Sequence, residues 1–224
     1  MAFSELLNAA SVPARPHAMD EARKRLIVAL DVSDAAAATV LAARLEGSCQ
    51  WFKVGLELFA AAGPAVLEPL LKRGHFIFLD LKFHDIPNTV AGAVRSAASL
   101  GVHMMTLHAA GGPAMLAAAR AALEGIQNPP ELLAKMGLEA GIRGFVCSPQ
   151  EVGKLRTITG PEGVLVIPGI RPAGAGIGDQ KRIATPAEAL RAGASYLVVG
   201  RPITQAPDPA EATEAILKEM AAAL

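Results

Sequence analysis

Seven short runs of apolar, largely β-branched residues punctuate the chain: Arg25–Val32, Gln50–Leu56, His75–Lys82, Val102–Ala109, Gly144–Ser148, Val164–Ile170 and Tyr196–Ile203. Their interiors include Leu-Ile-Val-Ala-Leu, Phe-Ile-Phe-Leu and Tyr-Leu-Val-Val, with no polar alternation. Strands of that kind belong to parallel sheets covered on both faces. Ala-rich helical segments lie between them. Asp34 or Ser33 can cap a helix through Ala35–Leu45. Thr185-Pro186-Ala187-Glu188 and Asp208-Pro209-Ala210-Glu211 each place a capping side chain, a first-turn proline and an acidic residue in helix-starting order. A βα alternation over the whole chain predicts an α/β fold.

Polar residues sit at the C-terminal ends of most of these strands: Asp31, Lys53, Asp80 with Lys82, His108, Arg171 and Arg201. In an eightfold barrel those ends converge on one mouth, whereas an open sheet would spread them along a crevice. The pattern therefore predicts a (β/α)8 TIM-type barrel over residues 25–224, preceded by an N-terminal arm over 1–24, of which Ser11–Pro16 reads as extended. One stretch breaks the rhythm. After Val102–Ala109 the next full strand begins only at Gly144, and the Ala114–Leu123 helix uses much of the interval. The fifth strand is missing, or reduced to Leu132–Ala134, which would leave two open strand edges.

Composition narrows the function. Hydrophobic residues make up 52% of the 224 positions, which excludes a disordered chain. Lys plus Arg (21) equals Asp plus Glu (21), so the chain lacks the basic footprint of a nucleic-acid binder. No apolar run approaches the ~18 residues of a membrane span. The start, Met-Ala-Phe-Ser-Glu, lacks the basic beginning of a secretory signal. Cys49 and Cys147 are expected to be buried thiols. These features predict a soluble cytoplasmic protein.

The strongest chemical signal is Asp80-Leu81-Lys82-Phe83-His84-Asp85-Ile86-Pro87-Asn88-Thr89. Residues two apart on a strand share a face, so Asp80 and Lys82 both point into the mouth. Lys53 can reach Asp80 from the neighbouring strand, and Asp85 lies on the loop above. The expected result is an alternating row, Lys53–Asp80–Lys82–Asp85, in which the carboxylates keep the ammonium groups charged. A second signal is an anion site. Gly200 lets backbone N–H groups approach a phosphate, and Arg201 offers a bidentate fork. The glycine-rich loop from Pro168 to Gln180 reads as a lid, with Arg171 and Gln180 as gripping groups. His84 and His108 are assigned structural roles, and no residue spacing suggests a metal site.

These residues resemble the orotidine 5'-monophosphate decarboxylase family. The matching stretches are Ile27–Asp31, Phe52–Gly55, Phe78–Thr89, Leu107–Gly112, Val146–Ser148, Pro168–Pro172, Gly178–Arg182 and Val199–Pro202. The resemblance implies a (β/α)8 barrel that acts as a homodimer, without metal or organic cofactor, converting orotidine 5'-monophosphate to UMP in de novo pyrimidine synthesis. It implies that Lys82 is the proton donor, flanked by Lys53 and Asp80, and that Asp85 enters the partner subunit's site. It implies ribose contacts from Asp31 and Lys53, helped by Thr89 across the dimer, and phosphate contacts from Arg201, Gly200 and Gln180, with Arg171 on the closing loop. Family members carry a Thr/Ser-containing end on the fifth strand that contacts the pyrimidine. Here Glu131–Ala134 runs straight into Lys135-Met-Gly-Leu, so roughly one short βα unit is absent. Two alternatives stand beside the decarboxylase. One is a Mg²⁺-dependent phosphosugar aldolase or decarboxylase with the same Asp-x-Lys-x-x-Asp core, against which the His84–Thr89 run argues. The other is an inactive nucleotide-binding relic, a consequence of the missing strand.

Overall fold

Each strand of the barrel is closed by the one before it and the one after it, and the sequence pattern explains the layering. A computed structural model describes residues 16–134, 140–172 and 182–224. In chain order the elements are α1 (Pro16–Arg25), β1 (Leu26–Ala29), α2 (Ala35–Arg44), β2 (Trp51–Gly55), α3 (Leu56–Ala62), α4 (Leu67–Lys72), β3 (Phe76–Phe83), α5 (Pro87–Ser99), β4 (Met104–Leu107), α6 (Gly112–Ala121), β5 (Glu131–Leu133), β6 (Gly144–Val146), α7 (Val152–Thr159), β7 (Val164–Ile167), α8 (Pro186–Arg191), β8 (Tyr196–Val199), α9 (Arg201–Thr204) and α10 (Pro209–Ala221). The eight strands form a closed parallel barrel in sequential order, β8 pairing with β1.

The period-two alternation divides the apolar residues into two cores. Ile27, Ala29, Trp51, Phe78, Met104, Leu133, Val166 and Val198 fill the barrel interior. Leu26, Val28, Phe52, Ile77, Leu79, Met105, Leu132, Phe145, Leu165 and Leu197 face outward and pack under the helices. Both sets are buried, which is why the strands read as continuous apolar runs. Helix starts follow the expected chemistry. The Asp34 carboxylate accepts from Ala37 N–H at 2.8 Å, Thr185 and Glu188 form a reciprocal capping box, and Asp208 accepts from Ala210 N–H.

The structure corrects the expectation that the fifth strand is absent. A three-residue β5 is present, as in the reduced form of that expectation, and no seam of the barrel is left open. It pairs with β4 at three positions and with β6 at one, Leu133↔Gly144, and Ala134 N–H donates to Gly144 O at 2.9 Å. Residues 134–143 alone join β5 to β6. That is shorter than the dozen or more residues a helical crossover between parallel strands takes. Two backbones are brought together there, and a Cβ on Gly144 would lie 2.4 Å from Leu133 Cδ2 and 2.6 Å from Leu132 O. Glycine is what lets the shortened connection close.

Residues 16–24 of the stretch assigned to an arm belong to α1, which packs against α10 and buries Ala22 completely, so Pro16 is helical rather than extended, and the rest of the segment read as extended, 11–15, lies outside the described residues. Among the described residues no helix is long and apolar enough to cross a membrane.

Candidate active site

Strands β1, β2 and β3 deliver the charged groups. Inward parity carries Asp31 just past β1, Lys53 within β2 and Asp80 within β3 to the same rim. Lys53 Nζ lies 3.0 Å from Asp31 Oδ1 and 3.7 Å from Asp80 Oδ2. Lys82 Nζ donates to Asp80 Oδ1 at 2.8 Å. Charges alternate along the line Asp31–Lys53–Asp80–Lys82. Lys53 and Asp80 are largely buried, with side-chain exposures of 12% and 15%, whereas Lys82 reaches into the open cavity at 52%. Gly55 makes room for this line: a Cβ there would sit 3.0 Å from Lys53 Nζ. Gly200 does the same for Asp31, whose Oδ2 would lie 3.4 Å from an added Cβ.

Lys82 does not arrive by regular strand geometry. Pairing between β3 and β4 passes from Leu79↔Met105 to Phe83↔Leu107, four steps on β3 against two on β4. The surplus forms a bulge over Asp80–Lys82, and Lys82 has φ +51°, in the left-handed region that a β-substituted residue rarely adopts. Strain of that kind collects at functional sites.

Within one chain the structure brings Lys53, Asp80 and Lys82 of the expected row together, but not Asp85. Among the described residues Asp85 has no ion pair within its own chain; its Oδ1 accepts from Ile86 N–H at 2.6 Å as the loop turns into α5. Asp31 supplies the carboxylate at the other end instead. Thr89 lies exposed in the first turn of α5. His84 and His108 stack at 4.9 Å with their planes 18° apart, tying the loop after β3 to the loop after β4.

A cavity of about 660 Å³ opens above the row. Lys53, Asp80, Lys82 and Thr106 line one side, Leu133, Val146 and Ser148 another, and Arg182 a third. Thr106 and Arg182 were not singled out from the sequence. A hydroxyl two residues after an inward Met in the apolar run Met-Met-Thr-Leu was the available signal for Thr106. Gly200 and Arg201 open α9 at the rim rather than in the lining. Arg171 is 9% exposed, its backbone N–H donates to Ala184 O, and it is not among the residues that line the cavity. Gln180 lies outside the described residues. Cys147 is buried, and burial pushes the Cys49 thiol up to about 12, so neither is a ready nucleophile. Among the described residues no group of three or more His, Cys, Asp or Glu side chains converges as metal ligands do.

The chain matches the family model described as "Orotidine 5'-phosphate decarboxylase / HUMPS family" over residues 24–133 and 127–216. The two stretches meet at the segment that holds β5. The orotidine 5'-phosphate decarboxylase of Moorella thermoacetica is 48% identical over 241 residues, covering 92% of this chain and 94% of the relative. That alignment is longer than the 224-residue chain itself, so the relative carries residues without a counterpart here. The enzyme of the same name from Anaeromyxobacter sp. is 48% identical over 219 residues, covering 86% of this chain and 96% of the relative. Among solved structures, the orotidine 5'-phosphate decarboxylase of Lactobacillus acidophilus superposes with a TM-score of 0.76 at 37% identity, covering 88% of this chain and 98% of that one. A charged line on β1–β3 at the mouth of an eightfold barrel is thus accompanied by sequence likeness along both halves of the chain, and the chain belongs to the orotidine 5'-phosphate decarboxylase / HUMPS family.

Proposed function

We propose that this protein decarboxylates orotidine 5'-monophosphate to UMP, with Lys82 as the proton donor. The observation that carries the reading is the Asp31–Lys53–Asp80–Lys82 line, with Lys82 Nζ held 2.8 Å from Asp80 and exposed to the cavity. In the reaction the bond between the ring carbon and its carboxylate breaks, and the electron pair stays on the carbon. Carbon dioxide leaves. The ring has no position that delocalises the pair well, so a fixed ammonium beside the carbon is what stabilises it. Lys82 then gives its proton to that carbon and is reprotonated by solvent. Asp80 and Lys53 hold the ammonium in place before any charge develops, which limits reorganisation during the reaction. Asp80 also faces the substrate carboxylate as a like charge, which disfavours the ground state.

Asp31 and Lys53 bind the ribose hydroxyls. Gly200 and Arg201 at the rim take the phosphate, together with Gln180 and Arg171 from the loop between β7 and β8. Phosphate binding away from the reacting carbon supplies energy that closure can use. The working form is a homodimer in which Asp85 and Thr89 complete the partner's site. Two features support that arrangement: Asp85 has no ion pair in its own chain among the described residues, and the adjacent Ile86 is 66% exposed. The enzyme works in the cytoplasm and needs no cofactor. A Mg²⁺-dependent reading fits less well, because Asp31 and Asp80 are each held by ammonium groups. The relic reading fits less well because the barrel closes around an open cavity.

The test is the loss of orotidylate absorbance with purified protein, expected to proceed in the presence of a chelator; no loss with folded protein overturns the reading. The dimer is tested with mixed subunits. Lys82→Ala and Asp85→Ala chains, each inert alone, regain turnover when exchanged, because one hybrid site carries neither defect. A mixture that stays inert rejects the shared site.

A further inference from the structure

We infer that Thr106 is a positioning residue that locks Asp80 and the bulged backbone of Lys82 together through one hydroxyl; this rests on the decarboxylase reading above. Thr106 is 4% exposed and points into the barrel from the middle of β4. Its Oγ1 donates to Asp80 Oδ1 at 2.9 Å. The same oxygen accepts from Lys82 N–H at 2.9 Å. A hydroxyl has one proton to give and lone pairs to receive, so both bonds form at once.

The bulge makes that hydroxyl necessary. In a regular parallel ladder the Lys82 N–H would meet a carbonyl of β4. Two surplus residues on β3 carry it out of register, and Thr106 Oγ1 takes the carbonyl's place. A non-glycine residue at φ +51° is strained and persists only where its surroundings fix it. On the acid side, Asp80 Oδ1 receives Thr106 and Lys82 Nζ, and Oδ2 faces Lys53. The carboxylate is thereby fixed in orientation as well as position. Without the hydroxyl, Lys82 keeps its charge and its neighbour but loses the anchor that sets where its ammonium stands relative to the reacting carbon.

Thr106→Val keeps the shape and removes the hydroxyl. The expected result is a fall in kcat of about 10- to 100-fold, the loss of a hydrogen bond to a charged group, with KM and UMP affinity within about threefold of the parent. Thr106→Ser restores the hydroxyl and is expected to recover most of kcat. A merely packing role would show the reverse order, Val close to the parent and Ser impaired. Should Thr106→Val fail to fold, Thr106→Cys, with similar volume and only a weak donor, is judged by the same split. An active parent whose Thr106→Val variant keeps full kcat overturns this inference and leaves the decarboxylase reading standing. An inactive parent overturns both.

Discussion

The barrel is built to two standards. On one side β2 and β3 pair over five residues, β3 runs for eight, and two helices separate them in sequence. On the other side β5 and β6 are three residues each, meet at the single pair Leu133↔Gly144, and are joined by residues 134–143 alone. The charged line, the bulge and the strained Lys82 all sit on the long side. Extended register fixes several strands' worth of backbone around them and so tolerates a bulge. The short side contributes apolar walls to the cavity, Leu133 and Val146, and keeps the sheet closed. A closed barrel has no edge to offer another chain, and one hydrogen-bonded pair is enough to remove the edge. The difference teaches that closure and chemistry make separate demands on strand length.

Lys82→Ala is the largest expected break in that comparison. On the proposed mechanism it removes both the proton donor and the charge that stabilises the carbanion, and turnover should fall by at least about 10³-fold. Stability should move by less than about 1 kcal/mol, since the lost ion pair is half exposed at Lys82 and Asp80 keeps Lys53 and Thr106. Steady-state kinetics with a urea titration on the same sample reads both. A large loss of stability would mean that the line holds the long side together rather than serving the chemistry.

Gly144→Ala strikes the short side and should show the opposite split. Its new Cβ would meet Leu133 Cδ2 and the Leu132 carbonyl within 2.6 Å, and the backbone atom cannot rotate away. Overpacking of this kind costs about 1–3 kcal/mol. The urea midpoint should fall accordingly, while kcat of the folded fraction changes little. Unchanged stability would show that β5 and β6 separate without consequence and that their pairing is not what closes the barrel.

Much of this division was legible in the residues themselves. Near-continuous runs such as Phe-Ile-Phe-Leu announce strands buried on both faces, and inward parity alone takes Asp80 to the mouth. The spacing also located the defect after Val102–Ala109. It could not show that Glu131–Leu133 still pairs, because three residues carry too little periodicity to distinguish a strand from a loop, and because the compensating glycine lies on the next strand. Nor could parity see the bulge: two-residue alternation puts Lys82 on the right face for the wrong reason, since its backbone leaves the ladder. Within its own chain Asp85 stays out of the row for a related cause. Position in sequence sets which loop a side chain is on, but the turn into α5 sets where it points. Thr106 was passed over because a lone hydroxyl in an apolar strand gives no pattern until its two partners arrive from β3.

Glu131 offers the smallest and most local probe of the short side. It begins β5, pairs with Met104 of β4, and is partly buried at the closed end of the barrel. Burial raises its carboxyl above the ordinary value of 4.5, with Arg120 opposing. The folded state therefore holds its proton to higher pH than the unfolded chain does. Stability falls as pH rises from about 4.5 through the raised folded value, a penalty for charging the partly buried carboxyl. Glu131→Gln removes it. Because solvent screens a partly exposed group, the gain at pH 7 should be a few tenths of a kcal/mol, read as a higher urea midpoint. Below pH 4, where both states bind the proton, parent and variant should coincide. A gain of equal size at both pH values would trace to packing at the β4–β5 seam instead, and would mean that the short side is limited by fit rather than by the charge it buries.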